Sequence, residues 1–271
     1  MILVNGVETD YIKADDRGLL YGDGLFETIA VKDSKPRLLE MHFQRLINSA
    51  SKLSIQGFDT EDIAKDINLI VSKSGYHDAI VRVTVTRGSA ERGYASLSAE
   101  ANVVISIAPL PEYIQEKRRT GIDMNFSTLR INKESYLAGI KHLNRLTQVL
   151  AANEAASKGV DEALVFSEDG FVIEGSKSNV FFVFENEIKT PLVSEYGVSG
   201  IMRQRVLDVA DELGYKIVED NITLDDLLDV KEVFITNSII GIWPVATLND
   251  REFSSFDCAA KFQDLLVEDM A

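Results

Sequence analysis

The chain has 271 residues, 45% apolar and 26% charged, which excludes a disordered or collagen-like chain and suits one large or two ordinary globular domains. A formal net charge of −15 repels phosphate backbones, so no nucleic acid partner is expected, and an anionic ligand needs arginines of its own. No apolar run approaches the ~20 residues of a membrane span, MILVNGVETD lacks the basic and apolar regions of a signal peptide, and the single Cys258 excludes an internal disulfide, so a cytoplasmic protein with no membrane partner is expected.

Asn5-Gly6 between β-formers predicts a hairpin over ILVNGVET. LFETIAV (25–31) reads as a strand and YGDG before it as a tight turn, since the third glycine and the helix of a dinucleotide loop are missing. Leu39, Phe43, Leu46, Ala50 and Leu53 recur at helical spacing, and TEDIAKDINLIVSKSG predicts a second helix with a threonine cap and an end at Gly75. AIVRVTVT (79–86) and NVVISIAPL (102–110) predict strands flanking the loop RGSAERGYASLSAE. This order, β-β-α-α-β-β, predicts an α+β layer with antiparallel pairing.

EKRRTG (116–121), the densest basic run, reads as a solvated helix end. Pro109 and Pro111 bracket a junction and set the expected domains at 1–111 and 112–271. Beyond it come a strand, GIDMNFSTLR, a loop, and Lys141 opening the long helix NRLTQVLAANEAASKG. EALVFSEDGFVIEG and NVFFVFENEIKT predict two hairpins, followed by helix GIMRQRVLDVADELG, strand KIVED and the short helix TLDDLLD. Strands EVFITNS and IWPVATL and a terminal helix, FDCAAKFQDLLVED, close the chain. Two α/β domains sharing a cleft are expected.

Several common chemistries lack their residues. His42, His77 and His142 form no HxxxH pair, so no metal site is expected. GxxxxGK[ST] is absent, and GSKSN (175–179) lacks the last glycine of GxSxG. A pyridoxal 5'-phosphate site needs a lysine amine, a partner for the pyridinium nitrogen, an apolar wall and a phosphate cup. Lys141 stands where a strand pattern gives way to a helix pattern, a usual place for catalytic groups. Glu174 ends the strand FVIE before Gly175, where a carboxylate can keep a ring nitrogen protonated. Ser199-Gly200 precedes a helix in which the Ile201 and Met202 amides have no intrahelical acceptor. Arg45, in HFQRL, lies at the edge of the apolar stripe, from which it can reach a phosphate. Taken singly, each also reads as an ordinary residue: a solvated helix-start lysine, an exposed turn glutamate, an N-cap, a salt-bridged arginine.

Together, DRGLLYGDGLFETI (16–29), HFQRL (42–46), GIKHLNRLTQVL (139–150), DEALVFSEDGFVIEGSKSN (161–179), GVSGIMRQ (197–204) and TNSIIGIWPV (236–245) resemble, in this order, the fold-type IV pyridoxal-phosphate enzymes of the class IV aminotransferase-like family. The resemblance covers nearly the whole chain. It implies a two-domain α+β fold, like that of D-amino-acid aminotransferase, with a cleft between the domains and a homodimeric assembly. It implies that Lys141 is the catalytic lysine and covalent attachment point of pyridoxal 5'-phosphate, and that Glu174 contacts the pyridine nitrogen. Arg45 and the Ile201 and Met202 amides would hold the phosphate, helped by Ser238 or Asn237, and Val198 would pack on the ring.

GIKHLNRL, RGSAERGY and GIMRQ are most similar to the family branch acting on a small molecule, 4-amino-4-deoxychorismate, to give 4-aminobenzoate and pyruvate on the way to folate. Transaminase members tend to read GIT where this chain has GIM, and the D-amino-acid and branched-chain aminotransferase branches are the alternative. For the two carboxylates of the substrate, Arg92 and its neighbour Tyr94, in the loop AERGY, are the candidates.

Overall fold

The computed structural model describes residues 1–91, 93–96, 100–133 and 135–270. The chain divides into two compact units, one of Met1–Leu110 with Ile140–Asn144, the other of Pro111–Gly139 with Arg145–Met270.

The first unit runs β1 (Ile2–Val4), β2 (Val7–Glu8), α1 (Arg17–Tyr21), β3 (Gly24–Lys32), β4 (Lys35–Pro36), α2 (Leu39–Leu53), α3 (Thr60–Ser74), β5 (Ala79–Thr86) and β6 (Asn102–Pro109). Its strands pair antiparallel in the order β2-β1-β6-β5-β3-β4. Asn5 and Gly6 both take positive φ between β1 and β2, the left-handed turn that Asn-Gly favours. On β5, Val81, Val83 and Val85 are buried, while Arg82 projects from the other face. Ile63, Ile67 and Ile70 of α3 and Phe43 and Leu46 of α2 close over the valine face, each side chain contributing about 1.5–3 kcal/mol by burial. The register sets Leu25, Glu27 and Ile29 of β3 opposite Val85, Val83 and Val81, which places Glu27 on the core face.

One local expectation is corrected in this unit, and one short element was not expected. Thr60 is the first helical residue of α3, and Asp59 is the cap, its carboxylate accepting from the Glu61 amide at 2.7 Å. Before the turn at Gly22 (φ 65°) stands the short helix α1, capped by Asp16; five residues are too few to show a helical period in the sequence.

The second unit runs α4 (Tyr113–Thr120), β7 (Ile122–Ile131), α5 (Leu146–Ser157), β8 (Glu162–Ser167), β9 (Val172–Gly175), β10 (Asn179–Val183), β11 (Ile188–Pro191), α6 (Ile201–Val209), β12 (Ile217–Asp220), β13 (Glu232–Asn237), β14 (Gly241–Leu248), β15 (Arg251–Glu252) and α7 (Asp257–Leu265). The sheet order is β12-β11-β10-β13-β14-β7-β8-β9, with β15 paired to β14. Pairing is parallel for β11/β12, β14/β7 and β7/β8 and antiparallel elsewhere. Phe181 stacks on Phe234 at 4.9 Å and Phe234 meets Phe262 of α7, closing one side of the core. Both units mix helices with a sheet, as the α+β expectation requires. Among the described residues no helix is long and apolar enough to cross a membrane.

The helix expected to open at Lys141 begins at Leu146. Residues 140–144 instead extend along β3. The Phe26 amide donates to the Lys141 carbonyl and the Leu143 amide to the Gly24 carbonyl, both at 3.0 Å, around a bridge between Leu25 and His142. Those ladder bonds hold Lys141 in an extended conformation and out of α5.

Candidate active site

In the first unit, alternation along β3 sends Phe26 and Glu27 to opposite faces. The Lys141 amine lies 4.3 Å from the centroid of the Phe26 ring, and the Arg82 guanidinium carbon lies 4.1 Å from the same centroid. A cation over a ring face gains about 0.5–2 kcal/mol, so the two positive groups share one aromatic anchor. Arg82 comes from the strand paired with β3, in register with Thr28.

Glu27 is 2% exposed. Its Oε1 accepts from Arg45 Nε at 2.9 Å and its Oε2 from Arg45 Nη2 at 2.5 Å. His42, one helical turn before Arg45 on α2, places Nδ1 2.6 Å from Oε2. Burial pushes the Glu27 carboxyl up, but the charge of Arg45 and the bonds from His42 and Arg45 prevail and hold its pKa at about 2. Burial pulls His42 below its ordinary value against the raising effect of Glu27, with the Arg45 and Lys141 charges adding to the fall. His42 is therefore neutral near pH 7, and because an ionised carboxylate only accepts, its proton is assigned to Nδ1.

In the second unit, Glu174 ends β9 and is 5% exposed. Its Oε2 accepts from the Val198 amide at 2.9 Å. The segment bearing that amide is fixed on both sides. Gly139 donates to the Gly197 carbonyl, Ser199 donates to the Gly139 carbonyl, and Asn179 Nδ2 donates to the Val198 carbonyl at 2.9 Å. Gly197 has φ 68°, and a Cβ there would stand 2.9 Å from Glu174 Oε2; a Cβ on Gly200 would stand 1.9 Å from Asn179 Oδ1. A side chain at either point would have to push one of these oxygens out of its position. Gly200 caps α6 without a side-chain bond, and the amides of Ile201 and Met202 lie in its first turn, where no intrahelical acceptor exists. The Met202 side chain is wholly buried.

Below Glu174, the turn at 175–178 wraps around Glu162, which is 1% exposed and accepts from the Ser176 amide, the Ser176 hydroxyl and the Ser178 hydroxyl. Asn237 Oδ1 accepts from the Ile239 and Ile240 amides and its Nδ2 donates to the Lys177 carbonyl, so that side chain organises its own turn. Ser238 stands half-buried in the same turn.

The structure thus gathers Lys141, His42 and Arg45 around β3, and Glu174, Val198 and the α6 N-terminus around one backbone segment. Arg92 lies outside the described residues. Tyr94 is 87% exposed, and its carbonyl accepts from Arg17 Nη2 at 2.7 Å. Sequence reasoning missed Glu27, Arg82, Glu162 and Asn179. Glu27 left a signal: it replaces an apolar residue in the alternation Leu25, Ile29, Val31, and a histidine and an arginine three apart follow on the next helix.

A model of the amino-transferase class IV family matches residues 24–248. The crystal structure of 4-amino-4-deoxychorismate lyase from Pseudomonas aeruginosa is 35% identical, with a TM-score of 0.93 over 99% of each chain. Aminodeoxychorismate lyase of Vibrio harveyi is 31% identical over 93% of both chains. A putative branched-chain-amino-acid aminotransferase of Methanocaldococcus jannaschii is 36% identical over 87% of this chain and 82% of its own.

Proposed function

We propose, for a chain that belongs to the class IV aminotransferase family, that it is a pyridoxal 5'-phosphate-dependent lyase converting 4-amino-4-deoxychorismate to 4-aminobenzoate and pyruvate. The observation that carries this reading is the likeness to a lyase structure along almost every residue of both chains. The buried thioether of Met202 agrees with it, since no side-chain hydroxyl is offered at the position where transaminases tend to carry threonine.

Within each unit, the residues present suit the part of the cofactor assigned to them. A lysine amine sits against an aromatic face, a buried carboxylate has one oxygen fixed by a backbone amide, and a helix begins without a side-chain cap next to Gly200. When bound, pyridoxal 5'-phosphate supplies an electron-withdrawing ring that accepts the electron pair left by a broken C–H bond. In this reading Lys141 Nζ would anchor the cofactor and take the proton from substrate C4, and Lys141 or a water would protonate the enolpyruvyl oxygen as its bond to the ring carbon breaks. Glu174 would face the ring nitrogen and keep its proton in place. Arg45, the Ile201 and Met202 amides and Ser238 would hold the phosphate, and Val198 would pack on the ring. Asn237 supports Ser238 through its turn. Arg82, which approaches the same Phe26 ring as the lysine, would receive a substrate carboxylate, joined by Arg92 and Tyr94 of the loop. A homodimer in the cytoplasm completes the proposal.

An aminotransferase acting on branched-chain or D-amino acids is the second reading, supported by the 36% identity to the archaeal protein. Purified protein supplied with pyridoxal phosphate and aminodeoxychorismate separates them: fluorescent 4-aminobenzoate is expected without any 2-oxo acid. Turnover only when an amino donor and a 2-oxo acid are both present would contradict the lyase.

A further inference from the structure

Glu27 occupies a costly position. A carboxylate on the apolar face of β3 is tolerated only with full pairing, and a buried ion pair contributes little to stability that well-packed apolar residues could not match. Its partners suggest a different use. Arg45 presents both Nε and Nη2 to the two oxygens, a fork that fixes the plane of the guanidinium as well as its position. His42 pins Oε2 from the same helix, so the carboxylate cannot turn about its own axis.

The charge balance sharpens the point. Glu27 is ionised and His42 neutral, so Arg45, Glu27 and His42 together carry no net charge. Such a group draws a distant anion weakly, and its hold on one in contact comes from directed N–H bonds. We infer that Glu27 is a positioning residue that aims the Arg45 guanidinium at the phosphate group of the cofactor, selecting a phosphorylated ligand by direction rather than by charge. This rests on the reading that Arg45 holds the phosphate.

The test compares the binding of pyridoxal 5'-phosphate and of unphosphorylated pyridoxal to cofactor-free protein, followed by visible absorbance, in wild type, Glu27→Gln, Arg45→Ala and the double variant. Glu27→Gln is expected to weaken pyridoxal phosphate by about tenfold, to leave pyridoxal unchanged, and to add no further loss once Arg45 is gone. Thermal melts by circular dichroism check that each variant is folded. Should Glu27→Gln not fold, Glu27→Asp keeps the charge but is one methylene too short to serve Arg45 and His42 together, and the same selective loss is expected. Tighter pyridoxal phosphate binding in Glu27→Gln would mean that charge governs, and an equal loss for both ligands would mean a structural role; either overturns the inference alone. Wild-type protein that binds pyridoxal phosphate no better than pyridoxal would overturn the reading of Arg45 as well.

Discussion

Glu27 in the first unit and Glu174 in the second are both carboxylates nearly sealed from solvent, 2% and 5% exposed, yet they are held by different kinds of partner. Glu27 sits mid-strand and is gripped by charged and polar side chains from a neighbouring helix. Glu174 sits at a strand end, and one oxygen is fixed by a backbone amide in a loop that is itself locked by glycines, by Gly139 and by Asn179. Side-chain grips survive small shifts of the main chain but depend on protonation. A backbone amide does not itself titrate, but a grip made by the main chain leaves little tolerance for an added methyl group. The two carboxylates should therefore fail under different perturbations.

The largest expected effect is on turnover. Glu174→Gln keeps an oxygen for the Val198 amide, so the fold and the loop should persist, while in the proposed role the neutral amide could no longer stabilise a protonated ring nitrogen. A fall in kcat of about 100-fold or more is expected, with little change in the melting temperature; unchanged kcat would remove Glu174 from the chemistry. Gly197→Ala comes next. It forces a side chain into φ 68° and drives a methyl group to 2.9 Å from Glu174 Oε2. A loss of about 1–2 kcal/mol in stability from the backbone alone, with weakened cofactor binding, is expected in chemical denaturation and absorbance titration. Normal binding in this variant would break the claim that the loop is locked.

The smallest effect concerns pH and belongs to the first unit. Glu27 is held at about 2 against an ordinary value of 4.5, so its contribution to stability is complete above pH 4.5 and disappears as pH falls toward 2. His42, also depressed, binds its proton more readily in the unfolded chain and adds a loss below its ordinary 6.5. Urea midpoints measured against pH should fall more steeply in wild type than in Glu27→Gln between pH 4.5 and 2. Equal slopes would show that the carboxylate is not the titrating group.

Much of the fold was legible because it follows from period and turn chemistry. Asn5-Gly6 forms its hairpin, Phe43, Leu46 and Ala50 bury the predicted stripe of α2, and Gly75 ends α3 with φ 74°. The start of α5 was not legible, because the bonds that keep 140–144 extended come from β3, more than a hundred residues earlier in the chain. The same limit hid the partners of the site residues. Arg45 read equally well as a salt-bridged arginine or a phosphate grip; its fork with Glu27 bears out the first, and the second stands as a proposal. Glu162 and Asn179 act on loops distant in sequence, which no local pattern reveals. The motif order pointed to the family; the roles proposed for Lys141, Glu174 and Arg45 rest on that likeness together with the bonds around them.

Attachment of the cofactor to Lys141 is tested most directly by loading the protein with pyridoxal 5'-phosphate, reducing it with borohydride and mapping the modified peptide by mass spectrometry. A pyridoxyl group on Lys141, absent from a Lys141→Ala variant that also loses turnover, is the expected result. A label fixed on another lysine, or no label at all, would contradict it.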